Sequence, residues 1–306
     1  MPDVVITEFM DAAAVAALQA QFDTLYDPGL VDRPEELQQS LGQARALVVR
    51  NRTRVTQPLL DHAPALQVVG RLGVGLDNID MPACEARNVS VIPAIGANAR
   101  AVAEYVVCTA MVLLRGAYQS TREVADGSWP RPALSQGREL GDKTLGLVGF
   151  GGIGQLTARM ARALGMEVIA HDPHLPAAPE GTGVALVGLD ELLGRADVVS
   201  LHLPLTDQTR NLFDRTALSA MRAGAVLINT ARGGIVDEEA LAELLHAGHL
   251  GGAALDVYAH EPLAANNPLS GAPNLVLTPH VAGVTRESNE RVSAMIAERV
   301  AAFLQP

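Results

Sequence analysis

Three ionisable side chains stand at or just beyond the ends of short apolar runs in the second half of the chain. Arg232 lies in NTARGG, Glu261 in YAHEP and His280 in TPHVAG. If those runs are parallel strands, their carboxyl ends share one edge of a sheet, so the three side chains should converge there. An imidazole exchanges protons near neutral pH, a carboxylate can fix its tautomer, and a guanidinium can hold a substrate carboxylate. The set predicts proton transfer on a substrate that carries a carboxylate.

A glycine-rich turn supplies the second chemical signal. GFGGIG at 149–154 follows the apolar run TLGLV and opens an amphipathic stretch, and Gly149, Gly151 and Gly154 fit the spacing G-x-G-x-x-G. The first glycine allows a tight turn, the second lets a pyrophosphate approach the backbone, and the third lets helix and strand pack closely. Asp172 ends the next strand, where a carboxylate accepts hydrogen bonds from an adenosine ribose and repels a 2′-phosphate. The motif predicts a dinucleotide site that favours NAD over NADP.

Two alternatives share parts of this pattern. An S-adenosylmethionine-dependent methyltransferase can use the same glycine turn with an acid after the second strand, and a non-catalytic protein that senses NAD can keep the whole scaffold. Hydride transfer between a 2-hydroxy acid and nicotinamide needs a base for the hydroxyl proton, a partner that orients the base and a cation for the carboxylate. His280, Glu261 and Arg232 fill these roles, which favours a dehydrogenase.

The composition narrows the class of protein further. The chain has 306 residues, 48% of them hydrophobic and 3% aromatic, and a formal net charge of -11. An acidic chain with few aromatic stacking groups is a poor nucleic-acid binder, and no apolar run reaches the ~18 residues of a membrane span. Two cysteines are too few for a disulfide framework or a multi-cysteine zinc site. We therefore expect a cytoplasmic protein with a small-molecule substrate, no metal, no nucleic-acid partner and no membrane segment.

The elements that must position these residues follow from the alternation of β-branched runs with amphipathic stretches, which is typical of βαβ units. Short apolar runs predict four strands in the first part of the chain, at 4–7, 46–50, 66–71 and 89–92, and six in the second, at 144–150, 166–172, 197–203, 225–231, 253–258 and 274–279. The chain is long enough for two cores. We predict an α/β protein with two doubly wound parallel sheets. A flavodoxin-like substrate-binding domain comprises residues 1–97 plus 286–306, and a Rossmann NAD-binding domain comprises residues 98–285.

Two helices and one loop complete this organisation. An apolar helix is predicted at about Ala99 to Arg115, and a final helix, apolar at Val292 and Ile296, can pack back on the first domain. The glycine- and proline-containing loop around residues 127–132 looks like a passage between domains.

Longer stretches of the chain resemble the D-isomer-specific 2-hydroxyacid dehydrogenases, especially the phosphoglycerate dehydrogenase branch. The matching segments are RLGVGLDNID at 71–80, KTLGLVGFGGIG at 143–154, HLPLTDQTRNL at 202–212, LINTARGGIVDEEAL at 227–241, ALDVYAHEP at 254–262 and LTPHVAG at 277–283. The resemblance covers nearly the whole chain. It implies NAD as cofactor, catalytic roles for Arg232, Glu261 and His280, and a homodimer built around the cofactor domain.

The resemblance also implies contacts with substrate and cofactor. Backbone at Val74 and Gly75 would hold the substrate carboxylate, and Glu261 favours hydroxyacid chemistry because the related formate dehydrogenases carry Gln there. The candidate cofactor contacts combine the residues that the resemblance implies with residues that lie at strand ends. They are Gly149, Gly151, Gly152, Ile153, Gly154, Asp172, His202, Pro204, Thr209, Thr230, Ala231, Asp256, His280 and Gly283.

The sequence departs from this family pattern in two places. Gly152 stands where many relatives carry arginine, which removes one possible phosphate contact. The sequence ends soon after the final helix, so we expect no C-terminal regulatory domain of the kind many phosphoglycerate dehydrogenases carry, and no serine feedback through one.

Arginines after two strands of the predicted first domain point to the substrate. Arg50 and Arg71 occupy strand ends, whereas Arg52 and Arg54 are equally well explained as surface groups. Guanidinium groups here would accommodate a second anionic group. We therefore expect a C3 2-hydroxy acid with an anionic group at C3, such as 3-phosphoglycerate or 3-sulfolactate, with glyoxylate or hydroxypyruvate reduction as the alternative. The candidate substrate residues are Arg50, Asn51, Arg71, Val74, Gly75, Arg232 and His280.

Overall fold

The structure, a computed structural model, describes residues 1–305 and divides into two compact units. The first unit comprises residues 1–98 and the segment that begins at Val284, and the second comprises residues 99–283. The loop around residues 127–132 therefore lies inside the second unit, and its interpretation as a passage between domains is wrong.

Each unit is built on one sheet whose paired strands run parallel, which confirms the predicted α/β fold class. The first sheet has the order β2-β1-β3-β4-β5, and the second has the order β12-β11-β10-β9-β6-β7-β8. The strands are β1 (Val4–Ile6), β2 (Thr24–Tyr26), β3 (Ala46–Val49), β4 (Val68–Arg71), β5 (Ser90–Pro93), β6 (Thr144–Val148), β7 (Glu167–His171), β8 (Ala185–Leu186), β9 (Val198–Leu201), β10 (Val226–Asn229), β11 (Gly252–Leu255) and β12 (Leu275–Leu277).

Helices connect these strands and cover the sheets. They are α1 (Ala12–Gln19), α2 (Pro34–Ser40), α3 (Gln57–Asp61), α4 (Met81–Ala86), α5 (Ala99–Arg115), α6 (Thr121–Ala125), α7 (Arg131–Leu134), α8 (Gly152–Ala163), α9 (Leu189–Arg195), α10 (Arg215–Ala220), α11 (Glu238–His246) and α12 (Arg286–Leu304). Single 3-10 turns occur at Leu30–Asp32 and Ala117–Ser120.

The first sheet has the flavodoxin-like strand order, and its central strands are buried because helices cover both faces. The final helix belongs to this layer. A Cβ built on Gly70 of β4 would lie 2.7 Å from Ile296 and 2.8 Å from Val300, so the absence of a side chain lets α12 pack directly on the strand. Thr285 and Ser288 close the start of α12 with reciprocal side-chain to backbone hydrogen bonds.

The second sheet reverses its strand order between β6 and β9, and such a switch point opens a crevice at the carboxyl ends of the strands. Helices pack closely on both faces of the second sheet and so hold the carboxyl ends of its strands in place. A Cβ on Gly146 of β6 would lie 2.6 Å from Leu192 of α9, and on the other face Val106 of α5 belongs to the core cluster that contains Leu145 and Leu147.

Residues 1–305 contain no single helix that is long and apolar enough to cross a membrane, although α5 and the segment 117–125, bent by 70°, together meet the limits of length and composition. The same residues contain no group of three or more His, Cys, Asp or Glu side chains arranged to hold a metal ion.

Candidate active site

The glycine-rich turn joins β6 to α8. Gly149 has φ 94°, a left-handed value that favours glycine, and a Cβ there would collide with the carbonyl of His202. A Cβ on Gly154 would lie 2.6 Å from the Gly149 carbonyl oxygen. By contrast, apart from the chain neighbours and the backbone of α8 itself, no described residue has an atom within 4 Å of a Cβ built on Gly151 or Gly152. Gly149 and Gly154 thus lie against neighbouring backbone, whereas Gly151 and Gly152, at the start of α8, leave space for a ligand. The first N–H groups of a helix have no partner within the helix and can bind phosphate.

Asp172 follows β7 and lies half-buried beside this turn. Its Oδ2 accepts a hydrogen bond from the backbone N–H of Phe150 at 2.9 Å, and its Oδ1 accepts one from the N–H of His174 at 3.0 Å. Each carboxylate oxygen can accept a second hydrogen bond, which is what the hydroxyls of a ribose require. The backbone therefore orients the acid that the sequence assigned to the adenosine ribose.

The chain after β9 carries a histidine that is neutral. Burial of its imidazole lowers the pKa of His202 to about 4, and its Nε2 lies 3.0 Å from the hydroxyl oxygen of Ser200. The side chain therefore offers shape and a neutral hydrogen-bonding group rather than charge. In the following loop, the hydroxyl of Thr209 donates to the Pro204 carbonyl at 2.7 Å, so its hydrogen is used within the loop itself.

Thr230 follows β10 and provides a test of whether the site fits NAD. Its hydroxyl oxygen is buried and has no hydrogen-bond partner within residues 1–305, and the neighbouring Ala231 is also buried. An unpaired buried hydroxyl is costly, so a ligand that bonds to it stabilises the bound form. Together with the open glycine turn, the half-buried Ile153 in the first turn of α8 and the oriented Asp172, this hydroxyl makes the second unit fit a dinucleotide.

Arg232 lies on the turn after β10, and the turn is shaped by Asn229. The Asn229 side chain accepts from the N–H of Ala231 and donates to the carbonyl of Arg232, both at 3.0 Å. One guanidinium nitrogen of Arg232 donates to the Ala231 carbonyl at 2.7 Å. A Cβ on Gly233 would collide with the carbonyl of Tyr258. The asparagine and the glycine of NTARGG thus fix the backbone that presents the guanidinium.

Asp256 follows β11 and is only 1% exposed. Its Oδ1 accepts hydrogen bonds from the Thr278 hydroxyl at 2.6 Å and the Val281 N–H at 2.8 Å, and its Oδ2 accepts one from the Ala282 N–H at 2.8 Å. The carboxylate therefore grips the loop on both sides of His280. The sequence placed Asp256 among the cofactor contacts but did not predict this positioning role. Contacts of Asp256 and of Gly283, at the end of the loop, with the cofactor stay predictions.

His280 and Glu261 form the ionisable pair that the sequence predicted. His280 Nδ1 lies 2.8 Å from Glu261 Oε2, and the other carboxylate oxygen accepts from the Tyr258 N–H at 3.1 Å. With Nδ1 donating to the carboxylate, Nε2 carries the lone pair and can accept a proton. The two side chains are 49% and 37% exposed, so both are open to a substrate. His280 has φ 57°, a left-handed conformation uncommon for residues other than glycine and often associated with functional sites.

Two tyrosines that sequence reasoning missed support this loop. The Tyr258 hydroxyl lies within hydrogen-bonding distance of the carbonyl oxygens of Leu255 and Thr278, at 3.0 and 2.9 Å. Burial raises the pKa of Tyr258 to about 12, so the group stays a donor at working pH. The Tyr105 hydroxyl lies 2.7 Å from the Thr278 hydroxyl, and burial raises its pKa too. The only sequence signal was their place beside β11 and in the middle of α5.

Arg50 follows β3 in the first unit, and its side chain is half-buried. Its guanidinium donates to Oδ1 of Asn289 on α12 at 2.7 Å and lies over the ring of Phe9, 5.8 Å from the centroid. Within residues 1–305 no carboxylate forms a salt bridge with it. Arg52, by contrast, forms an exposed ion pair with Asp32, as expected of a surface arginine.

The remaining substrate candidates lie in loops of the same unit. One guanidinium nitrogen of Arg71 donates to the Leu72 carbonyl at 3.1 Å, which folds the side chain back along its own loop. Val74 is exposed, Gly75 is half-buried and Asn51 is exposed. The two residues whose backbone was predicted to hold the substrate carboxylate are therefore at least partly exposed, and that contact stays a prediction.

Comparison with known proteins places this geometry in a family. The family model for "D-isomer specific 2-hydroxyacid dehydrogenase, NAD binding domain" matches residues 107–282. The (S)-sulfolactate dehydrogenase of Chromohalobacter salexigens is 54% identical over 302 residues, which cover 98% of this chain and 97% of that protein. The D-3-phosphoglycerate dehydrogenase of Mycobacterium bovis is 39% identical over 303 residues, which cover 98% of this chain but 56% of that protein.

A solved structure that contains NAD has a similar fold. The NAD-dependent formate dehydrogenase from Staphylococcus aureus, in complex with NAD, is 29% identical with a TM-score of 0.82, and the match covers 99% of this chain and 96% of that one. These findings confirm NAD as the cofactor and the oxidoreduction of 2-hydroxy acids as the reaction, and they overrule the methyltransferase alternative. The chain belongs to the D-isomer specific 2-hydroxyacid dehydrogenase family.

Proposed function

We propose that this enzyme interconverts a three-carbon 2-hydroxy acid that carries a second anionic group at C3, of the 3-sulfolactate type, and the corresponding 2-oxo acid. The observation that carries the proposal is the environment of Arg50. Its guanidinium is half-buried, held by Asn289, and has no salt bridge within residues 1–305, so it can bind an anionic group of the substrate. The activity named for the relative from Chromohalobacter salexigens supports the same substrate class.

Three residues of the second unit would carry the reaction at C2. NAD, when bound, supplies nicotinamide C4 as the acceptor of the hydride that leaves C2. His280 Nε2 accepts the proton of the C2 hydroxyl as the C2–O double bond forms, and Glu261 on Nδ1 stabilises the resulting imidazolium. Arg232 binds the C1 carboxylate and polarises the oxygen on C2. In the reverse direction, His280 returns the proton to that oxygen.

Backbone groups and one acid complete the assignment. Backbone N–H groups at Val74 and Gly75 would bind the substrate carboxylate. Asp172 would accept hydrogen bonds from the adenosine ribose of NAD, and its charge would oppose the 2′-phosphate of NADP.

The arginines of the first unit favour a substrate whose group on C3 carries a single negative charge. Arg52 is neutralised by Asp32 on the surface, and Arg71 is folded along its own loop, which leaves Arg50 as the guanidinium best placed for the group on C3. One guanidinium matches one sulfonate charge, whereas a phosphate ester carries more charge at neutral pH. The structure therefore supports 3-sulfolactate over 3-phosphoglycerate.

A substrate panel tests the proposal. NADH formation is measured with 3-sulfolactate, 3-phosphoglycerate, glycerate and lactate, and NADH consumption with 3-sulfopyruvate, hydroxypyruvate and glyoxylate. We expect the highest kcat/KM with the sulfonated pair. Higher values with glyoxylate or hydroxypyruvate would make the enzyme a reductase of those acids, and NADH binding without turnover of any acid would make it a sensing protein.

The Arg50→Ala variant tests the site directly. It should lower kcat/KM for 3-sulfolactate by about 10- to 100-fold, the size of a lost charge-assisted hydrogen bond, and leave glyoxylate reduction within about twofold. Arg54→Ala, which removes an exposed arginine of the same segment, is the matched control. Equal losses with both acids would refute the anionic-group assignment.

We further propose that the enzyme is a cytoplasmic homodimer. Two cysteines, both free, suit a reducing compartment. Met111 on α5, Tyr118 and Trp129 expose apolar surface on the second unit, which supports association through that unit. Light scattering on a sizing column should give twice the chain mass of 32.1 kDa, and Trp129→Glu with Met111→Glu should shift the mass to that of one chain.

A further inference from the structure

Glu8 is a buried acid two residues beyond the end of β1, with 4% of its surface exposed. Its Oε1 accepts hydrogen bonds from the backbone N–H groups of Arg50 and Thr53, both at 2.9 Å. Its Oε2 accepts from the N–H groups of Asn51 at 3.2 Å and Arg52 at 3.0 Å. Four consecutive N–H groups therefore converge on one carboxylate, in the manner of an anion-binding nest.

Only an ionised carboxylate satisfies this arrangement. Its two oxygens offer about four lone-pair positions, one for each N–H group, whereas the amide of glutamine offers about two and adds donors. Burial alone would raise the pKa of Glu8, but the hydrogen bonds from the backbone of Thr53, Arg52 and Arg50 lower it below the ordinary value. The group is therefore charged at neutral pH, and the loop of residues 50–53 is fixed around it.

The same loop is held from its other side. The hydroxyl oxygens of Thr7 and Thr53 lie 2.8 Å apart, and the Asn78 side chain donates to the Thr53 carbonyl at 2.6 Å. At the start of the loop, the Arg50 side chain leaves the fixed backbone and reaches Asn289. The direction of the guanidinium is thus set first by the backbone and then by its amide partner.

We propose that Glu8 is a positioning residue for substrate selection: its carboxylate fixes the backbone of residues 50–53 and so preorganises the Arg50 guanidinium for the anionic group on C3. Glu8 itself does not touch the substrate. The inference rests on the proposed function, in which Arg50 binds that group. A preorganised cation binds more tightly because less side-chain and loop entropy is lost on binding.

The Glu8→Gln variant is the main test. It keeps the shape of the side chain but loses about half of the acceptor positions, so the loop should loosen. We expect KM for 3-sulfolactate to rise about tenfold or more, with kcat and the KM for glyoxylate within about twofold. On an Arg50→Ala background the same substitution should change KM for 3-sulfolactate by less than about twofold, because the two residues act on one interaction.

Two further variants separate positioning from loss of stability. Val15→Ala removes core volume from α1 of the same unit, away from the loop, and should lower Tm without changing the ratio of the two KM values. Glu8→Asp keeps the charge on a shorter side chain and should give a KM for 3-sulfolactate between those of wild type and Glu8→Gln. If Glu8→Gln does not fold, a rise of about threefold or more in Glu8→Asp, for 3-sulfolactate alone, supports the inference.

The outcomes separate this inference from the proposed function. Equal changes in KM for both acids, or full additivity with Arg50→Ala, overturn the positioning role. If Arg50→Ala reduces activity on 3-sulfolactate selectively but neither Glu8 variant does, the inference alone fails. If Arg50→Ala leaves the ratio unchanged, the proposed substrate class fails and the inference fails with it.

Discussion

The two units of this enzyme each contain one nearly inaccessible carboxylate that holds a functional loop. In the first unit, Glu8 follows β1 and binds the loop after β3; in the second, Asp256 follows β11 and binds the loop after β12. Glu8 accepts four consecutive backbone N–H groups, whereas Asp256 accepts two N–H groups and the hydroxyl of Thr278. The same physical device therefore serves two different loops.

The difference lies in what each loop presents. The loop on Glu8 presents Arg50, a permanent cation that would bind a substrate group remote from the reacting carbon. The loop on Asp256 presents His280, which would exchange a proton at that carbon. A disturbed Asp256 should therefore impair the reaction with every acid, whereas a disturbed Glu8 should impair only acids that carry a second anion.

Replacement of the base sets the scale for this comparison. His280→Ala should lower kcat by roughly 10²-fold or more with every acid, because general acid–base catalysis is lost, and should weaken NADH binding far less than it lowers kcat. Steady-state rates and fluorescence titration with NADH measure the two quantities. His246→Ala, which removes an exposed histidine of α11, is the control, and an unchanged kcat in His280→Ala would remove His280 from its assigned role.

Loss of the support behind the base should have the next largest effect. Asp256→Asn removes a charge and mispairs at least one buried N–H group, a change of about 1–3 kcal/mol. If the loop moves accordingly, kcat should fall about 10- to 100-fold for 3-sulfolactate and glyoxylate alike. A loss confined to 3-sulfolactate would mean that Asp256, like Glu8, acts on substrate selection and not on the reaction common to all acids.

A third strand-end carboxylate, Asp172, is only half-buried and should face a ligand instead of a loop. Asp172→Ala removes the charge that opposes a 2′-phosphate, so the ratio of kcat/KM for NAD to that for NADP should fall about tenfold. Activity with both cofactors at fixed substrate measures the ratio. A ratio that stays constant would contradict the assignment of Asp172 to the adenosine ribose.

The lowered pKa of Glu8 links the first unit to acid stability. A carboxyl group whose pKa is lower in the folded than in the unfolded chain stabilises the fold above its unfolded pKa, and this contribution is lost as pH falls through the folded pKa. Wild type should therefore exceed Glu8→Gln in unfolding free energy by about 1 kcal/mol at pH 7, and the difference should shrink below about pH 4. Urea titrations across this range measure it; a constant difference would argue against an ionised Glu8.

The smallest effect belongs to a surface neighbour of the Glu8 loop. Arg52 contributes its N–H group to Glu8 but sends its side chain to an exposed ion pair with Asp32. Arg52→Ala keeps the N–H group, so KM for 3-sulfolactate should stay within about twofold of wild type. A larger rise would assign the side chain of Arg52 to the substrate and weaken the case for Arg50 alone.

Sequence patterns predicted the parts of this protein that depend on local periodicity and on short motifs. The helix from Ala99 to Arg115 was predicted with its observed bounds, and Gly149 and Gly154 occupy the tight positions that the motif requires. Strands β2 and β8 were missed, because they have three and two residues and are not fully buried, so their apolar pattern is weak. The edges of both sheets were therefore underestimated.

The supports of the site could not be predicted from the sequence. An acid after an apolar run is visible in both Glu8 and Asp256, but nothing in the sequence shows which N–H groups converge on it, because these belong to other loops. For the same reason the link between Arg50 and Asn289, more than two hundred positions apart, was not foreseen. The sequence indicates which side chains are reactive, whereas their orientation depends on contacts between distant segments.

The left-handed backbone at His280 has a practical consequence for trapping complexes. Alanine at φ 57° loses the imidazole and also strains the main chain, whereas asparagine adopts such angles readily. His280→Asn should therefore give an inactive enzyme in which the loop keeps its native backbone conformation. Crystals of that variant, soaked with coenzyme and hydroxy acid, offer a route to an image of both ligands before turnover.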